Sequence, residues 1–406
     1  VRDRVTTDPA TDEARTTDEA QPENASAAPR LHLGANLAAL RGHNSAVVLG
    51  LLRDAGERGA SRTELAARTG LTPQAVSKIT ARLRAAGLAA EAGRRASTGG
   101  KPAAVLRLVP TAAHAVGLHL DRDALTVTLV DLTGAAVATR TAPLAFGAGE
   151  RAVLDAVTAE VAALLSQAGA AGAPGAVLGV GVAAPGPLDH TAGVLHRVTG
   201  FPQWDGFPLC EALGARLGLP VVLDKDTNAA ALGLVLRGGA FRGGSFAYLH
   251  LGTGLGAGLV LGGAVHRGAR TGAGEFGHQV LQLDGPPCPC GDRGCLEVLC
   301  LGAVADGDTA RAARLLGIGA ANLVRLLDID LVLLGGRTVL AAPEPYAEGV
   351  RAVLAGAAPV AVAPGGGGTV VEGAAELVLA PLFGRAGFIT CPDQPTGTTI
   401  GSSGGI

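Results

Sequence analysis

Three thiols and an imidazole fall within eighteen residues of this chain: His278, then Cys288, Cys290 and Cys295 in the run Cys-Pro-Cys-Gly-Asp-Arg-Gly-Cys. Thiolate sulfur and imidazole nitrogen suit a borderline-soft, tetrahedral ion. Four protein ligands close its coordination sphere, so the set reads as a structural zinc site and not a hydrolytic one. The spacing is neither that of a finger nor that of a ribbon. The same residues can also be read as buried or disulfide-bonded cysteines beside an unrelated histidine. Cys210, Cys300 and Cys391 are scattered, and only Cys300 offers a faint substitute ligand.

A second chemistry-bearing stretch is Gly252-Thr-Gly-Leu-Gly-Ala-Gly258. Its glycines free backbone amides for an approaching phosphate, with Gly252, Thr253, Gly254 and Gly256 the candidates. A Gly-rich hairpin turn without a ligand fits the same letters.

These segments need a scaffold, and the chain is long enough to provide one. It has 406 residues, 48% hydrophobic and 17% charged, which implies more than one domain and a sizeable core. Uncharged runs such as 352–371 are broken by Pro and Gly, and the opening Val1-Arg-Asp-Arg lacks the apolar core of a secretory signal. The expectation is a cytoplasmic protein with no membrane partner, in a compartment that keeps cysteines reduced for metal.

The net charge of −2 hides an uneven distribution. Residues 31–110 hold twelve Lys and Arg against four Asp and Glu, whereas residues 111–406 hold seventeen against twenty-four. Only the first of these segments is an electrostatic candidate for nucleic acid. Within it, Val47, Val48, Leu51 and Leu52 mark one face of a helix, and Ser61-Arg-Thr-Glu64 is a capping box that opens a second helix ending at Gly70. Thr72 and Pro73 start a third, with Val76, Ile79 and Leu83 inward. The third helix turns Gln74, Ser77, Lys78 and Arg82 outward, a set suited to base edges and phosphates in a major groove. Two strands around Gly93 to Pro102 then form a basic wing carrying Arg94, Arg95 and Lys101. A three-helix packing module with a solvated charged face is the plainer alternative.

Beyond residue 110 strands alternate with helices and Gly-containing turns, which argues for an α/β body in two lobes. Expected elements are a hairpin over 116–132, buried strands over 176–183 and 220–223, a hairpin over 246–261, and a strand at 331–334 leading into Gly335-Gly336. The first thirty residues, polar and without apolar periodicity, predict a disordered arm, and the last residues a loose tail.

Taken together, several patterns resemble the ROK family of repressors and sugar kinases over residues 41 to about 385. They are Gly181-Val-Ala-Ala-Pro-Gly-Pro187, the Gly252 to Gly258 hairpin, Gly274-Glu-Phe-Gly-His278, Cys288 to Glu297, and Gly373 to Leu382. A winged helix in front is the arrangement of the family's repressors. The resemblance implies an α/β chain divided as follows: an arm over 1–40; a winged helix-turn-helix over 41–110; a two-lobed, actin-like ATPase-fold sugar-binding domain over 111–388, its zinc motif at 278–295; and a tail over 389–406. Asp226 falls on the position that holds a sugar hydroxyl and serves kinases as general base. Glu275, His278 and Glu297 fall on sugar-contacting positions, His278 also holding zinc.

Three departures shape the functional reading. The kinases' Asp-x-Gly-Gly-Thr loop falls on His119-Leu-Asp-Arg-Asp123, whose larger and charged side chains would take the place of phosphate. Where the family commonly has Asn, this chain has Lys225, which could accept an anionic or unusual sugar or could pair with Asp224 or Asp226. Glu297 to Thr309 also runs straight into Ala310-Arg-Ala-Ala-Arg, as though a segment that walls the sugar site and contributes to subunit contacts had been lost. The resulting expectation is a non-enzymatic, sugar-responsive transcriptional repressor with structural Zn2+ and no ATP requirement. It would bind double-stranded operator DNA as a homodimer or homotetramer, with a small sugar or sugar phosphate as inducer. A sugar kinase, or a DNA-binding protein whose body senses nothing, are the alternatives.

Overall fold

Val48, Leu49 and Leu52 recur at helical spacing and are fully buried, and they anchor the first helix, α1 (Leu37–Ala55). A computed structural model describes residues 37–95, 103–172, 175–237 and 243–385. The arm before residue 37, the wing tip with Lys101, and the tail after residue 385 lie outside the described residues.

After a two-residue strand β1 (Ala60–Ser61), helix α2 (Arg62–Thr69) starts at a complete capping box: Glu64 N donates to Ser61 Oγ at 3.2 Å and Ser61 N to Glu64 Oε2 at 2.7 Å. It stops at Gly70, whose φ of 69° is left-handed. Helix α3 (Pro73–Ala85) has Thr72 as N-cap, accepting from Ala75 N at 3.2 Å, and buries Val76, Ile79, Thr80 and Leu83. Strands β2 (Ala89–Arg95) and β3 (Ala103–Leu108) pair antiparallel, and β1 completes the sheet on the far side of β3.

The rest of the chain builds two five-stranded sheets with one shared plan. In the first, β4 (Ala113–Leu120), β5 (Ala124–Asp131) and β6 (Ala136–Pro143) form an antiparallel meander, and β7 (Ala176–Ala184) pairs parallel on the other side of β4. A small ribbon of β8 (Leu188–Asp189) and β9 (Val194–Leu195) precedes β10 (Val221–Lys225), which extends the sheet beyond β7. In the second, β11 (Phe246–Leu251), β12 (Leu255–Leu261) and β13 (Ala264–Val265) form the meander, and β14 (Leu331–Gly335) and β15 (Val360–Val362) add in parallel. Both therefore read third, second, first, fourth, fifth strand across the sheet.

Helices α4 (Glu150–Ala170) and α5 (Leu209–Leu217) cover the first sheet. By length and composition α4 could cross a membrane, but it lays Val153, Val157, Val161 and Leu164 into the first core. Helix α6 (Asp226–Arg237) follows β10 directly. Helices α7 (Leu296–Ala305), α8 (Thr309–Leu327) and α10 (Pro343–Leu354) pack on the second sheet, and the five-residue α9 (Arg337–Ala341) follows β14. Only three residues join α7 to α8.

The closing helix α11 (Thr369–Leu379) sits against β4, β7 and α6 at backbone distance. A Cβ on Gly117 would strike the Val371 carbonyl, one on Gly181 the Ala374 carbonyl, and one on Gly373 the Ala229 carbonyl. Ala375, Leu379 and Phe383 also share a core with Val48, Leu52, Leu65, Val76 and Leu106. Hydrophobic burial thus runs continuously from the front helices into the body, across residue 110.

Candidate functional site

Lys225 is the last residue of β10 and Asp226 the first of α6, so the carboxylate stands at a helix N-terminus, where the backbone amides favour negative charge. Thr227 N donates to Asp226 Oδ1 at 2.6 Å. The β11–β12 turn, the Gly274 to His278 segment and the start of α7 meet Asp226 around an open cleft. It encloses about 620 Å³, open solvent included, and is lined by Asp226, Lys225, Glu275, His278 and Glu297.

Each of these side chains has a positional cause. Gly274, at φ 81°, passes so close to β12 that a Cβ would collide with the Ala257 carbonyl, and this delivers Glu275 and the turn Phe276–His278 to the cleft. Glu297 is buried in the first turn of α7, and its Oε2 accepts from Leu255 N at 2.7 Å, tying α7 to the glycine hairpin. Of the two sequence readings of Lys225, pairing with a neighbouring aspartate is not what its ammonium does: only the backbone N reaches Asp224, donating to Oδ1 at 2.8 Å. Lys225 Nζ donates to Glu275 Oε1 at 2.8 Å and to the Ala273 carbonyl at 2.7 Å. Strand alternation explains the difference, because adjacent residues on β10 face opposite sides. Asp224 is turned to Arg267 Nε at 2.7 Å and Asn228 Nδ2 at 2.9 Å.

The glycine hairpin faces the β4–β5 turn. Thr253 Oγ1 donates to Asp121 Oδ1 at 2.6 Å, and Arg337, just past β14, pairs with Asp123 at 2.8 Å. A Cβ on Gly254 would lie 3.0 Å from Glu297 Oε2 and 3.3 Å from Arg122 Nη2. Arg122 therefore lies against the hairpin, and Thr253, Gly254 and Gly256 line the cleft together with Asp121 and Arg122, while Gly252 and Asp123 are not part of its lining. Burial would raise the Asp121 carboxyl, but the Thr253 hydroxyl, the His119 ring and the Arg122 amide together hold it below its ordinary value. Burial lowers the His119 imidazole despite Asp226 and Asp121 nearby.

His278, Cys288, Cys290 and Cys295 converge, with all four ligand atoms within 4.8 Å of one another. Cys290 and Cys295 sulfurs are 3.7 Å apart, as are Cys288 Sγ and His278 Nδ1. A tetrahedral ion with sulfur ligands at about 2.3 Å spaces them about 3.8 Å apart, so the donor set fits one metal ion. Burial pushes the Cys295 thiol up to about 12 and raises Cys288, and a divalent cation at the centre would stabilise both as thiolates. His278 directs Nδ1 to this cluster and Nε2 toward Glu275 Oε2, 4.0 Å away, linking metal knot and cleft through one ring. Cys300 stands apart, buried in α7 with its sulfur 3.7 Å from the Ala312 carbonyl.

The candidate DNA-facing residues lie elsewhere. Gln74, Ser77, Lys78 and Arg82 are exposed on α3, Arg82 within 3.3 Å of Ser45 Oγ, and Arg94 is exposed on β2. Arg95 closes β2 and Lys101 lies outside the described residues. Sequence reasoning missed Thr199 and His250 as cleft residues. His250 sits on β11 with Nδ1 3.1 Å from the Tyr248 hydroxyl, and only its alternation with buried neighbours could have pointed to it.

The sequence profile described as ROK family matches residues 115–306, the span from β4 to the end of α7. A xylose repressor of Caldicellulosiruptor bescii is 28% identical over 237 residues, 58% of this chain and 59% of that protein. A putative xylose repressor of Caldicellulosiruptor sp. is 27% identical over 345 residues, 74% of this chain and 85% of that protein, whereas the matches to the Caldicellulosiruptor bescii and Bacillus xylose repressors span 59–61% of those proteins. Among solved structures, a ROK family transcriptional regulator homologous to the Escherichia coli MLC protein superposes with a TM-score of 0.70, covering 85% of this chain and 97% of that one at 22% identity. The ROK hexokinase of Thermus thermophilus is 32% identical, covering 66% of this chain and 98% of that one, with a TM-score of 0.53. A doubled actin-like α/β body, a carboxylate-lined cleft and a profile match over its centre lead to one conclusion: the chain belongs to the ROK family.

Proposed function

We propose that this chain is a sugar-responsive transcriptional repressor, in which a winged helix-turn-helix over residues 41–110 reads operator DNA and the ROK body over 111–388 senses a sugar. The observation that carries the reading is α3. One face is buried by Val76, Ile79 and Leu83, and the other presents Gln74, Ser77, Lys78 and Arg82 to solvent, a donor and acceptor row of the kind that enters a major groove. Arg94, Arg95 and Lys101 supply phosphate contacts from the wing.

In the body, Asp226, Glu275, His278 and Glu297 hold sugar hydroxyls, and Zn2+ bound by His278, Cys288, Cys290 and Cys295 fixes the tautomer and aim of His278. Relatives named for xylose repression support the regulatory reading. A homodimer or homotetramer places two readers on two half-sites, and bound sugar lowers operator affinity by preferring one arrangement.

Sugar phosphorylation is the competing reading, favoured by Asp226 and by the likeness to a hexokinase. Against it stands the phosphate side of the cleft. Thr253–Asp121 and Arg337–Asp123 contacts bridge it, and Arg122 occupies the wall beside Gly254. Phosphoryl transfer depends on cradling and neutralising phosphate there. A gel-shift on the DNA upstream of the chain's own gene tests the proposal. Retardation relieved by a sugar supports it, and no retardation at low salt overturns it.

A further inference from the structure

We propose that Lys225 sets the class of sugar admitted, restricting the cleft to small neutral sugars without an acidic or N-acetyl substituent; this deepens the sensor reading above and rests on it. Four carboxylates, Asp121, Asp226, Glu275 and Glu297, line the cleft against two cations, Arg122 and Lys225. The Lys225 ammonium is already compensated, donating to Glu275 Oε1 and to the Ala273 carbonyl with its side chain 3% exposed. An acid arriving there meets the Glu275 charge as well and must break a desolvated pair to gain a partner. Acidic sugars are thereby rejected.

Bulk acts in the same direction. A Cβ on Gly186 would lie 2.9 Å from Lys225 Cδ, so the lysine methylenes fill the cleft wall beside that glycine. The chain is held at one end by β10 and at the other by its two hydrogen bonds, and it cannot swing aside without stranding its charge. An acetamido group directed at that wall would have to displace the lysine from both of its hydrogen bonds. What the cleft does offer is acceptors: Asp226 and Glu297 each give one oxygen to a backbone amide, and the other has no partner among the described residues. Carboxylate oxygens accept from the hydroxyls of a plain sugar.

Calorimetric titration of the full chain with D-xylose, D-glucose, N-acetyl-D-glucosamine and D-glucuronate tests this, alongside Lys225→Ala and Lys225→Met. The expected result is that the parent protein binds xylose or glucose and rejects the other two. Lys225→Ala should gain N-acetylglucosamine affinity on the order of tenfold. Lys225→Met, which keeps the bulk, should still reject it. Retained operator binding by both variants reports that they fold. Equal affinity of the parent for glucuronate, or for N-acetylglucosamine, overturns the inference, as does an unchanged selectivity in Lys225→Ala or an equal gain in Lys225→Met. A parent protein that retards its DNA but binds none of the four sugars instead overturns the sensor reading, and the inference with it.

Discussion

Arg53 of α1 and Glu376 of α11 form a two-pronged buried ion pair across 323 residues of sequence, with Nη1 2.9 Å from Oε2 and Nη2 on Oε1. Glu376 is fully buried, and Arg53 also donates to the Thr133 carbonyl at 2.8 Å and lies over the Phe383 ring. Beside it Arg385 pairs with Asp54, and Arg237 at the end of α6 pairs with Glu372. The front helix is thus joined by charge to the helix that packs on α6, whose first residue is Asp226.

Glu376→Gln keeps the shape and leaves the guanidinium without its counter-charge. The expected loss is about 3 kcal/mol or more, read as a lowered urea midpoint at unchanged m-value. Replacing both partners by apolar residues, Arg53→Met with Glu376→Leu, should recover much of that loss. A single variant within about 0.5 kcal/mol of the parent would mean that water reaches the pair.

Elemental analysis should find about one zinc per chain, and Cys295→Ser should lose it. Each thiol sheds a proton to bind metal, so retention should fall as pH falls from 8 toward 5. Chelation should loosen the His278 to Glu297 segment first, seen as faster amide exchange there than in β11. Full metal content in Cys295→Ser would remove that sulfur from the site.

Arg94→Ala combined with Arg95→Ala should weaken DNA binding about equally on specific and unrelated sequences. The slope of log K against log salt should shrink by about 0.9 for each phosphate left without its arginine. Gln74→Ala should instead change which operator base is preferred. An unaltered salt slope in the double variant would take the wing off the DNA.

On the regulatory reading, a coupled assay should detect no hexose-dependent ATP consumption by the purified chain, since Thr253 of the glycine hairpin is held by Asp121 and Arg122 borders the cleft beside Gly254. Turnover at kinase rates, abolished by Asp226→Asn, would restore the competing reading.

What the sequence determined by itself was local. The capping box at Ser61–Glu64, the Thr72–Pro73 helix start and the left-handed Gly70 are short-range signals whose partners lie within four residues. The three cysteines and His278 likewise advertise themselves through donor type and close spacing. Tertiary structure decided what depends on distant partners. Lys225 finds Glu275 fifty residues on instead of its neighbours, because the pleat turns Asp224 away. The shared strand order of the two sheets arises from hydrogen-bonding partners up to about ninety residues apart, and no repeated motif in the sequence announces it. The Arg53–Glu376 pair was equally hidden, since a lone Arg and a lone Glu read as surface charge until packing removes their water.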